Sequence, residues 1–352
     1  MRTPPLTRRV LLQSALAGAL APARAAEPCA GDLAIDAATA LLFSAEAPLA
    51  PGEGLRDARA VWARVPSRPD RSVLVYLHGN NNYVTVDAAG KSRVPDWATT
   101  EAARAGAAAK QAAPLAYRLD RLEEQRAGKS PVVLVPEVGR LSSGSFWAVE
   151  PAGQYQHPAR LAKLTADCLE HLACLRRPGG EQYLSRDFLE RALPEPGKPA
   201  LDRIYLSGHS GAGIPLEEAA VSSLVLPENG VPTDLWLFDC TYWSRIDGFV
   251  RFCEEWAARK RLAGADRKAA RLVCIYRART QTEPVADTLR GEAARILHVD
   301  PASLVRDHTR ENFEAEIRPA LQQSGAMFLR TCLPHDEIPT FFLPALLGTA
   351  AG

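Results

Sequence analysis

Short apolar runs of strand length alternate along the chain with longer segments of helical periodicity. The runs predict strands at 60–65, 73–77, 132–135, 203–206, 235–238, 272–276 and 327–329. Apolar positions spaced by three and four residues predict helices at 97–112, 159–174, 214–224, 246–263, 285–296, 310–323 and 338–347. Strands that alternate with helices in this way predict an α/β fold built on a largely parallel sheet.

The N-terminal segment has a different composition from the rest of the chain. Arg8 and Arg9 precede an apolar run, and the small residues around position 24 form a cleavage pattern. This pattern predicts an export signal over residues 1–25, and the arginine pair resembles the twin-arginine type, with a general secretory signal as the alternative. Either signal predicts a periplasmic or extracellular protein. The remaining residues, 26–352, are predicted to form one domain.

Charge and composition exclude several kinds of partner. The predicted signal holds four of the 42 basic residues, so the remainder carries slightly fewer basic side chains than the 41 acidic ones. This balance argues against a nucleic-acid partner, because phosphate-binding domains carry a basic excess on one face. Beyond the signal, no stretch reaches the ~18 consecutive apolar residues that a membrane span requires. The sequence also lacks the Cys and His spacings of a structural zinc site.

The segment 201–216, LDRIYLSGHSGAGIPL, predicts a strand, a tight turn and a helix around Ser210. A serine between small residues in this setting is typical of a nucleophile elbow, which pushes the hydroxyl out of the sheet on a strained turn. The motif departs from G-x-S-x-G, because Ala212 occupies the last position and Gly213 follows it. Alanine is still small enough for the helix to cross the strand.

A glycine turn after the strand at 73–77 is a candidate for part of an oxyanion hole. This turn runs from His78 to Asn82, and Asn80 is the predicted donor, with Asn81 as the alternative. The second predicted donor is the backbone N–H of Gly211, the residue after the serine. Such donors stabilise the charge of a tetrahedral intermediate, and losing one costs about 3 kcal/mol.

A serine hydroxyl needs a histidine to take its proton, and seven histidines compete for this role. His335 follows a late predicted strand and precedes a helix, so that a loop can bring its imidazole to the end of the sheet. His308 is the reserve candidate, although its segment is predicted to be helical or to flank a helix. We therefore predict His335 as the base.

The third catalytic member is a carboxylate that orients the histidine. Asp239 ends the first strand after the serine's helix, where a buried charge is costly unless it has a partner. Glu283 and Asp287 follow the next strand and are the alternatives. The sequence favours Asp239 and leaves both alternatives open.

Serine, acid and histidine occur in this order on alternating strands and helices, and a His-Gly turn lies upstream. Over residues 60–347 this arrangement resembles the α/β-hydrolase superfamily. The resemblance implies an α/β-hydrolase fold with a mostly parallel eight-stranded sheet, helices on both faces and cap-like insertions. It also implies acyl transfer through a covalent serine ester, with no metal or organic cofactor.

The predicted function is that of an exported serine hydrolase that cleaves an ester or amide bond through an acyl-enzyme on Ser210. A carboxylic ester hydrolase is favoured, and the alternatives are a periplasmic amidase or peptidase, an acyltransferase, or a non-catalytic hydrolase-like protein that binds a ligand in the same pocket. The fold does not identify the substrate, because one fold carries many chemistries. The expected substrate is therefore an ester or amide of either a small molecule or a polymer. The oligomeric state has no signal in the sequence.

The chain has seven cysteines, and an oxidising compartment favours pairing of some of them. Cys240 follows the favoured acid and Cys332 precedes the favoured histidine, so a disulfide between them is a hypothesis based on position. Cys274 lies in an apolar strand and is predicted to be a buried free thiol.

Overall fold

The computed structural model describes residues 32–34, 37–42, 59–78, 85–86, 92–93, 129–138, 161–195, 198–222, 225, 231, 233–242, 246–263, 271–321 and 325–349. The predicted export signal and the predicted helix at 97–112 lie outside the described residues.

Within these described ranges, the centre of the fold is a sheet of ten strands. The strands in chain order are β1 (Leu33–Ala34), β2 (Thr39–Leu42), β3 (Arg59–Arg64), β4 (Arg68–Leu77), β5 (Thr85–Val86), β6 (Ser92–Arg93), β7 (Lys129–Val138), β8 (Arg203–His209), β9 (Thr233–Phe238), β10 (Arg271–Arg277), β11 (Val305–His308) and β12 (Gly325–Thr331). Their order across the sheet is β1-β2-β3-β7-β4-β8-β9-β10-β12-β11, and β5 pairs separately with β6.

Most of the sheet is parallel, as predicted. Every pairing from β7 across to β11 is parallel, whereas β1, β2 and β3 pair antiparallel, as do β3 and β7. The expectation of eight strands is wrong, because the two-residue β1 and the short β11 extend the sheet at its two edges. All seven strands predicted from apolar runs are present.

Helices cover both faces of the sheet. They are α1 (Leu161–Cys174), α2 (Arg186–Ala192), α3 (Gly213–Ala220), α4 (Asp247–Ala263), α5 (Glu283–Leu297), α6 (Arg318–Leu321) and α7 (Ile338–Thr349). Successive side chains of a strand point to opposite faces, and two separate cores result. Val73 and Val75 of β4 belong to the core that contains residues of α1 to α5, whereas Leu74 and Tyr76 belong to the core beneath α6 and α7.

Three predicted details differ from the structure. The predicted helix at 310–323 is broken into a π-helical turn, Phe313–Ile317, and the short α6. His308 lies in the edge strand β11 and not in a helix. The sequence hides this strand because half of it is exposed and most of its residues are polar. The helix α2 is absent from the prediction.

The hypothesis of a disulfide between Cys240 and Cys332 is wrong. Cys240 and Cys332 are both free, so no disulfide joins them; Cys240 is buried, whereas Cys332 is exposed. Cys274 is a buried free thiol in β10, as predicted. Cys174 is disulfide-bonded.

Within the described residues, no helix combines the length and the apolar character that crossing a membrane would take.

Candidate active site

Ser210 lies on a strained turn between β8 and α3. His209, the last residue of β8, is extended, and Ser210 then turns to a φ of 55°. This left-handed conformation is uncommon for a residue other than glycine and costs of order 1–3 kcal/mol. The 3-10 turn Ser210–Ala212 leads directly into α3. The strand, turn and helix are those that the motif predicts.

Two glycines allow α3 to cross so close to the sheet. A Cβ on Gly213 would lie 1.9 Å from the backbone oxygen of Cys240, whereas a Cβ on Gly208 would lie 2.9 Å from a methyl group of Leu216. Ala212 is fully buried and fits. The closest approach thus falls one residue later than the G-x-S-x-G pattern places it, which is the physical reason for Gly213 in the sequence.

Asp239 and His335 form a hydrogen-bonded pair next to this turn. Asp239 follows β9, the neighbour of β8 in the sheet, and has a left-handed φ of 45°. Its Oδ2 lies 2.6 Å from Nδ1 of His335. The aspartate side chain is 2% exposed and the histidine side chain 25% exposed. One imidazole nitrogen is therefore held by a buried carboxylate.

The second oxygen of Asp239 is also satisfied. Its Oδ1 accepts hydrogen bonds from Thr282 Oγ1 at 2.6 Å and from the backbone N–H of Arg277 at 3.2 Å. Burial alone would raise the pKa of the Asp239 carboxyl, but the hydrogen bonds from His335, Thr282 and Arg277, together with the charge of His335, hold that pKa below its usual value. Asp239 is therefore a carboxylate at neutral pH.

His335 is held by its backbone as well as by its ring. It begins a 3-10 turn, His335–Glu337, between β12 and α7. Its carbonyl oxygen lies 3.1 Å from Nε2 of the fully buried His209, and the two imidazole rings are 4.3 Å apart. The loop prediction for His335 thus agrees with its position after β12.

Tyr242 completes the group of side chains around the serine. Its hydroxyl is near enough to the Ser210 side chain for that side chain to lower the pKa of Tyr242 slightly, and its ring lies edge-on to that of His335 with centroids 6.3 Å apart. Burial and the nearby Asp239 raise the pKa of Tyr242 to about 12, so its phenol keeps its proton at neutral pH. Its position three residues after Asp239 is the sequence signal for this placement.

The alternative candidates lie elsewhere. The Glu283 carboxylate accepts the backbone N–H of Arg279 at 2.7 Å, and Asp287 pairs with Arg290 at 3.2 Å. His308 Nδ1 lies 2.9 Å from Thr331 Oγ1, and its ring packs among Phe313, Phe341 and Phe342. Neither Glu283 nor Asp287 is hydrogen-bonded to His335, and His308 is not hydrogen-bonded to Asp239. Of the predicted oxyanion donors, Gly211 follows Ser210 in the 3-10 turn, and Asn80 lies outside the described residues.

Thr282 and His209 are the two site residues whose roles the sequence prediction misses. The sequence places His209 in the tight turn around Ser210 without a role of its own, and it gives no role to Thr282. Both contacts join segments that are distant in the chain, 43 residues apart for Thr282 and Asp239 and 126 for His209 and His335. A threonine just before the helix after β10 is the only local signal.

Among the described residues, one group of side chains has the spacing of a metal site. One ligand atom from each of His209, His335 and Asp336 lies within 4.8 Å of the others. Nδ1 of His335 already binds Asp239, and Nε2 of His209 already faces a carbonyl oxygen. A metal ion there would compete with the hydrogen bonds that hold the pair.

A mostly parallel sheet covered on both faces, with a serine elbow after one strand and an Asp–His pair at the ends of others, is the architecture of α/β hydrolases. The chain has the α/β-hydrolase fold.

Comparison with known proteins found no family model and no curated protein that matches the sequence. Solved structures with similarity include a dienelactone hydrolase from Anabaena variabilis, with 11% identity, 91% of this chain and 95% of that chain covered, and a TM-score of 0.35. An esterase from Pyrobaculum calidifontis has 13% identity, coverage of 93% and 87%, and a TM-score of 0.34. A putative thioesterase from a Silicibacter species has 13% identity, coverage of 85% and 84%, and a TM-score of 0.32.

Proposed function

We propose that the protein is a serine hydrolase that cleaves a carboxylic ester or amide through an acyl-enzyme on Ser210. The observation that carries the proposal is the 2.6 Å hydrogen bond between the buried Asp239 and the partly exposed His335, beside a serine held at a φ of 55°. A carboxylate that fixes one imidazole nitrogen leaves the other as a base. A strained serine next to such a base has the arrangement that nucleophilic catalysis requires.

In the proposed reaction, Ser210 Oγ attacks the substrate carbonyl carbon while Nε2 of His335 takes the hydroxyl proton. The tetrahedral intermediate collapses as the imidazolium gives that proton to the leaving oxygen or nitrogen, whose bond to the carbonyl carbon breaks. Water then attacks the serine ester with the same general-base assistance and releases the acid. Asp239 stays ionised throughout and stabilises the imidazolium.

The backbone N–H of Gly211 is the proposed oxyanion donor on the serine side. Gly211 is the second residue of a short helical turn, and the first N–H groups of such a turn have no partner within it. The amide or backbone of Asn80 is the proposed second donor. Tyr242 adds a protonated hydroxyl beside the serine, where it can donate to a substrate oxygen.

A ligand-binding protein with the same fold is the alternative that this site disfavours. Ser210 and Asp239 both have positive φ values, 55° and 45°. Each such residue costs stability, and strained conformations of this kind cluster at active sites. Binding alone gives no reason to hold a serine, a histidine and a buried carboxylate in this way.

The test is covalent labelling of the mature protein with a fluorophosphonate probe, followed by intact mass measurement. Wild type is expected to gain one probe adduct, and Ser210→Ala none. Ser207→Ala, which changes a fully buried serine on β8, is the matched control and should label like wild type. An unlabelled wild type would contradict the proposal.

Matched ester and amide substrates with the same acyl group would then separate an esterase from an amidase or peptidase. Turnover that rises when an alcohol or amine acceptor is added would instead identify an acyltransferase.

We also propose that the protein is exported to the periplasm or beyond, on the strength of the signal pattern in residues 1–25. Replacing both Arg8 and Arg9 by lysine should block export through a twin-arginine route and leave a general secretory route working. Recovery of the unprocessed full-length wild type in the cytoplasm would contradict the proposal.

A further inference from the structure

His209 connects the strand that carries the serine to the loop that carries the base. It is fully buried at the end of β8, and its Nε2 lies 3.1 Å from the carbonyl oxygen of His335. A carbonyl oxygen only accepts hydrogen bonds, so Nε2 carries the proton and donates it. The same carbonyl accepts the backbone N–H of Ile338, which closes the 3-10 turn. The start of the turn is thus fixed both to its own helix and to β8.

The two ends of His335 are held by different strands. Asp239, after β9, binds the imidazole at Nδ1, whereas His209, on β8, binds the backbone carbonyl. The His209 ring also packs against the His335 ring, with centroids 4.3 Å apart and planes tilted by 36°. The aspartate controls how the imidazole is rotated, and His209 controls where its Cα lies relative to the neighbouring Ser210.

We propose that His209 is a positioning residue of the hydrolase: its Nε2–H holds the backbone of His335 so that the imidazole stays aligned with Ser210. The inference rests on the proposed function for its effect on turnover, but the hydrogen bond itself can be tested separately. Misplacement of a catalytic group by about 1 Å can reduce a rate by about 100-fold.

The charge state of His209 suits this role. Burial first and the nearby imidazole of His335 second lower the pKa of His209 to about 3, against the smaller opposing effects of the His335 carbonyl and the Asp239 carboxylate; the imidazole of His78 lowers it slightly further. The ring is therefore neutral at working pH, with its proton on Nε2. Its Nδ1 has no hydrogen-bond partner among the described residues, which agrees with an unprotonated nitrogen on that side. A neutral donor places no positive charge next to the imidazolium that forms during the reaction.

Two substitutions separate the hydrogen bond from the ring. His209→Phe keeps a planar ring against His335 but removes the donor, and His209→Gln keeps an amide N–H near the position of Nε2. We expect His209→Phe to lower kcat by about 10- to 100-fold with little change in KM. His209→Gln should retain most of the wild-type kcat. His308→Phe is the matched control, because His308 is also buried but contacts neither Ser210 nor His335 in the described structure.

A spectroscopic measurement tests the same contact without turnover. The short Asp239–His335 hydrogen bond should give a low-field proton resonance in the wild type. We expect this resonance to broaden in His209→Phe and to persist in His209→Gln and His308→Phe. Nitrogen-15 shifts of wild-type His209 should show a protonated Nε2 and an unprotonated Nδ1. This measurement tests whether His209 is the hydrogen-bond donor to the His335 carbonyl oxygen even if a variant does not fold.

Several results would overturn the inference. One is a His209→Phe variant that has the wild-type kcat and an unchanged low-field resonance. Another is an equal loss of kcat in the His209→Phe and His209→Gln variants. The third is a proton on Nδ1 of wild-type His209. A wild type that neither turns over esters or amides nor reacts with the fluorophosphonate would overturn the proposed function instead. In that case, the resonance comparison would still show whether His209 positions His335.

Discussion

Thr282 donates one of the hydrogen bonds that keep Asp239 ionised, at 2.6 Å and fully buried. Thr282→Val keeps the shape of the side chain and removes the donor. A hydrogen bond to a charged group contributes about 1.5–3 kcal/mol, so we expect kcat/KM to fall about tenfold or more. The pKa of Asp239 should rise, and the acid limb of the pH profile should move to higher pH.

Thr282→Ser is the control for this prediction, because it restores the hydroxyl. Its kcat/KM and acid limb should be close to those of the wild type. Equal activity in the Val variant and the wild type would show that the Arg277 N–H and His335 are sufficient to hold the carboxylate.

Gly213 is the residue at which the elbow has no space for a side chain. A Cβ there would approach the Cys240 carbonyl oxygen to 1.9 Å. Since this contact is with the backbone next to Asp239, Gly213→Ala should displace the acid as well as strain the crossing of α3. We expect a loss of about 1–3 kcal/mol in the free energy of unfolding, measured in urea, and a lower kcat.

The matched control is Gly291→Ala in the middle of α5, where a Cβ would meet nothing within 4 Å. Alanine has the higher helix propensity, so this variant should gain about 0.5–1 kcal/mol. A Gly213→Ala protein as stable and active as wild type would mean that α3 can shift freely over the sheet.

Three adjacent strands are joined by a buried ion network. Asp234 of β9 is fully buried; it pairs with Arg203 of β8 at 2.7 Å and with Arg271 of β10 at 2.6 Å. Asp234→Asn removes the charge between two arginines, and breaking a buried pair costs about 3–5 kcal/mol. We expect a loss of that size in urea unfolding.

Asp202→Asn is the exposed counterpart. The Asp202 side chain is 59% exposed and pairs with Arg71, and surface pairs contribute about 0–1 kcal/mol. Similar losses in the two variants would show that the buried network is no more important for stability than a surface pair.

The central strands are predictable because both of their faces are buried. A strand such as Thr233–Phe238 is buried at every position, and its last four residues form a continuous apolar run that the sequence reveals. The edge strand Val305–His308 has two exposed residues and no such run. The choice among Asp239, Glu283 and Asp287 depends on the turn after each strand and on contacts with distant segments. For this reason, the sequence could favour Asp239 but could not exclude the other two.

At the scale of the whole molecule, His171, His209 and His308 have shifted pKa values, and the shifts differ in direction. Burial holds the pKa of His209 at about 3. Burial and the nearby Arg310 lower that of His308, against a smaller opposing effect of Glu311. His171 differs: burial lowers its pKa, but the Asp32 carboxylate at 2.7 Å and the nearby acids outweigh burial and raise it. Both lowered histidines lie at or near the end of the sheet that carries the proposed site.

These directions predict that the fold loses stability in mild acid. The unfolded chain binds protons at histidines with a pKa of about 6.5, whereas folded His209 and His308 bind them only at lower pH. Their contribution is complete above about pH 6.5 and is lost as the pH falls below it. His171 has the opposite sign: its contribution is complete below about pH 6.5 and is lost as the pH rises through its raised folded pKa. The large shift of the His209 pKa, from its usual value of 6.5 to about 3, outweighs the opposite effect of His171, so the free energy of unfolding should be lower at pH 5 than at pH 7. His308→Phe removes one of the two lowered histidines, so its stability should fall less over the same range in urea titrations, whereas equal slopes would show that His308 does not contribute.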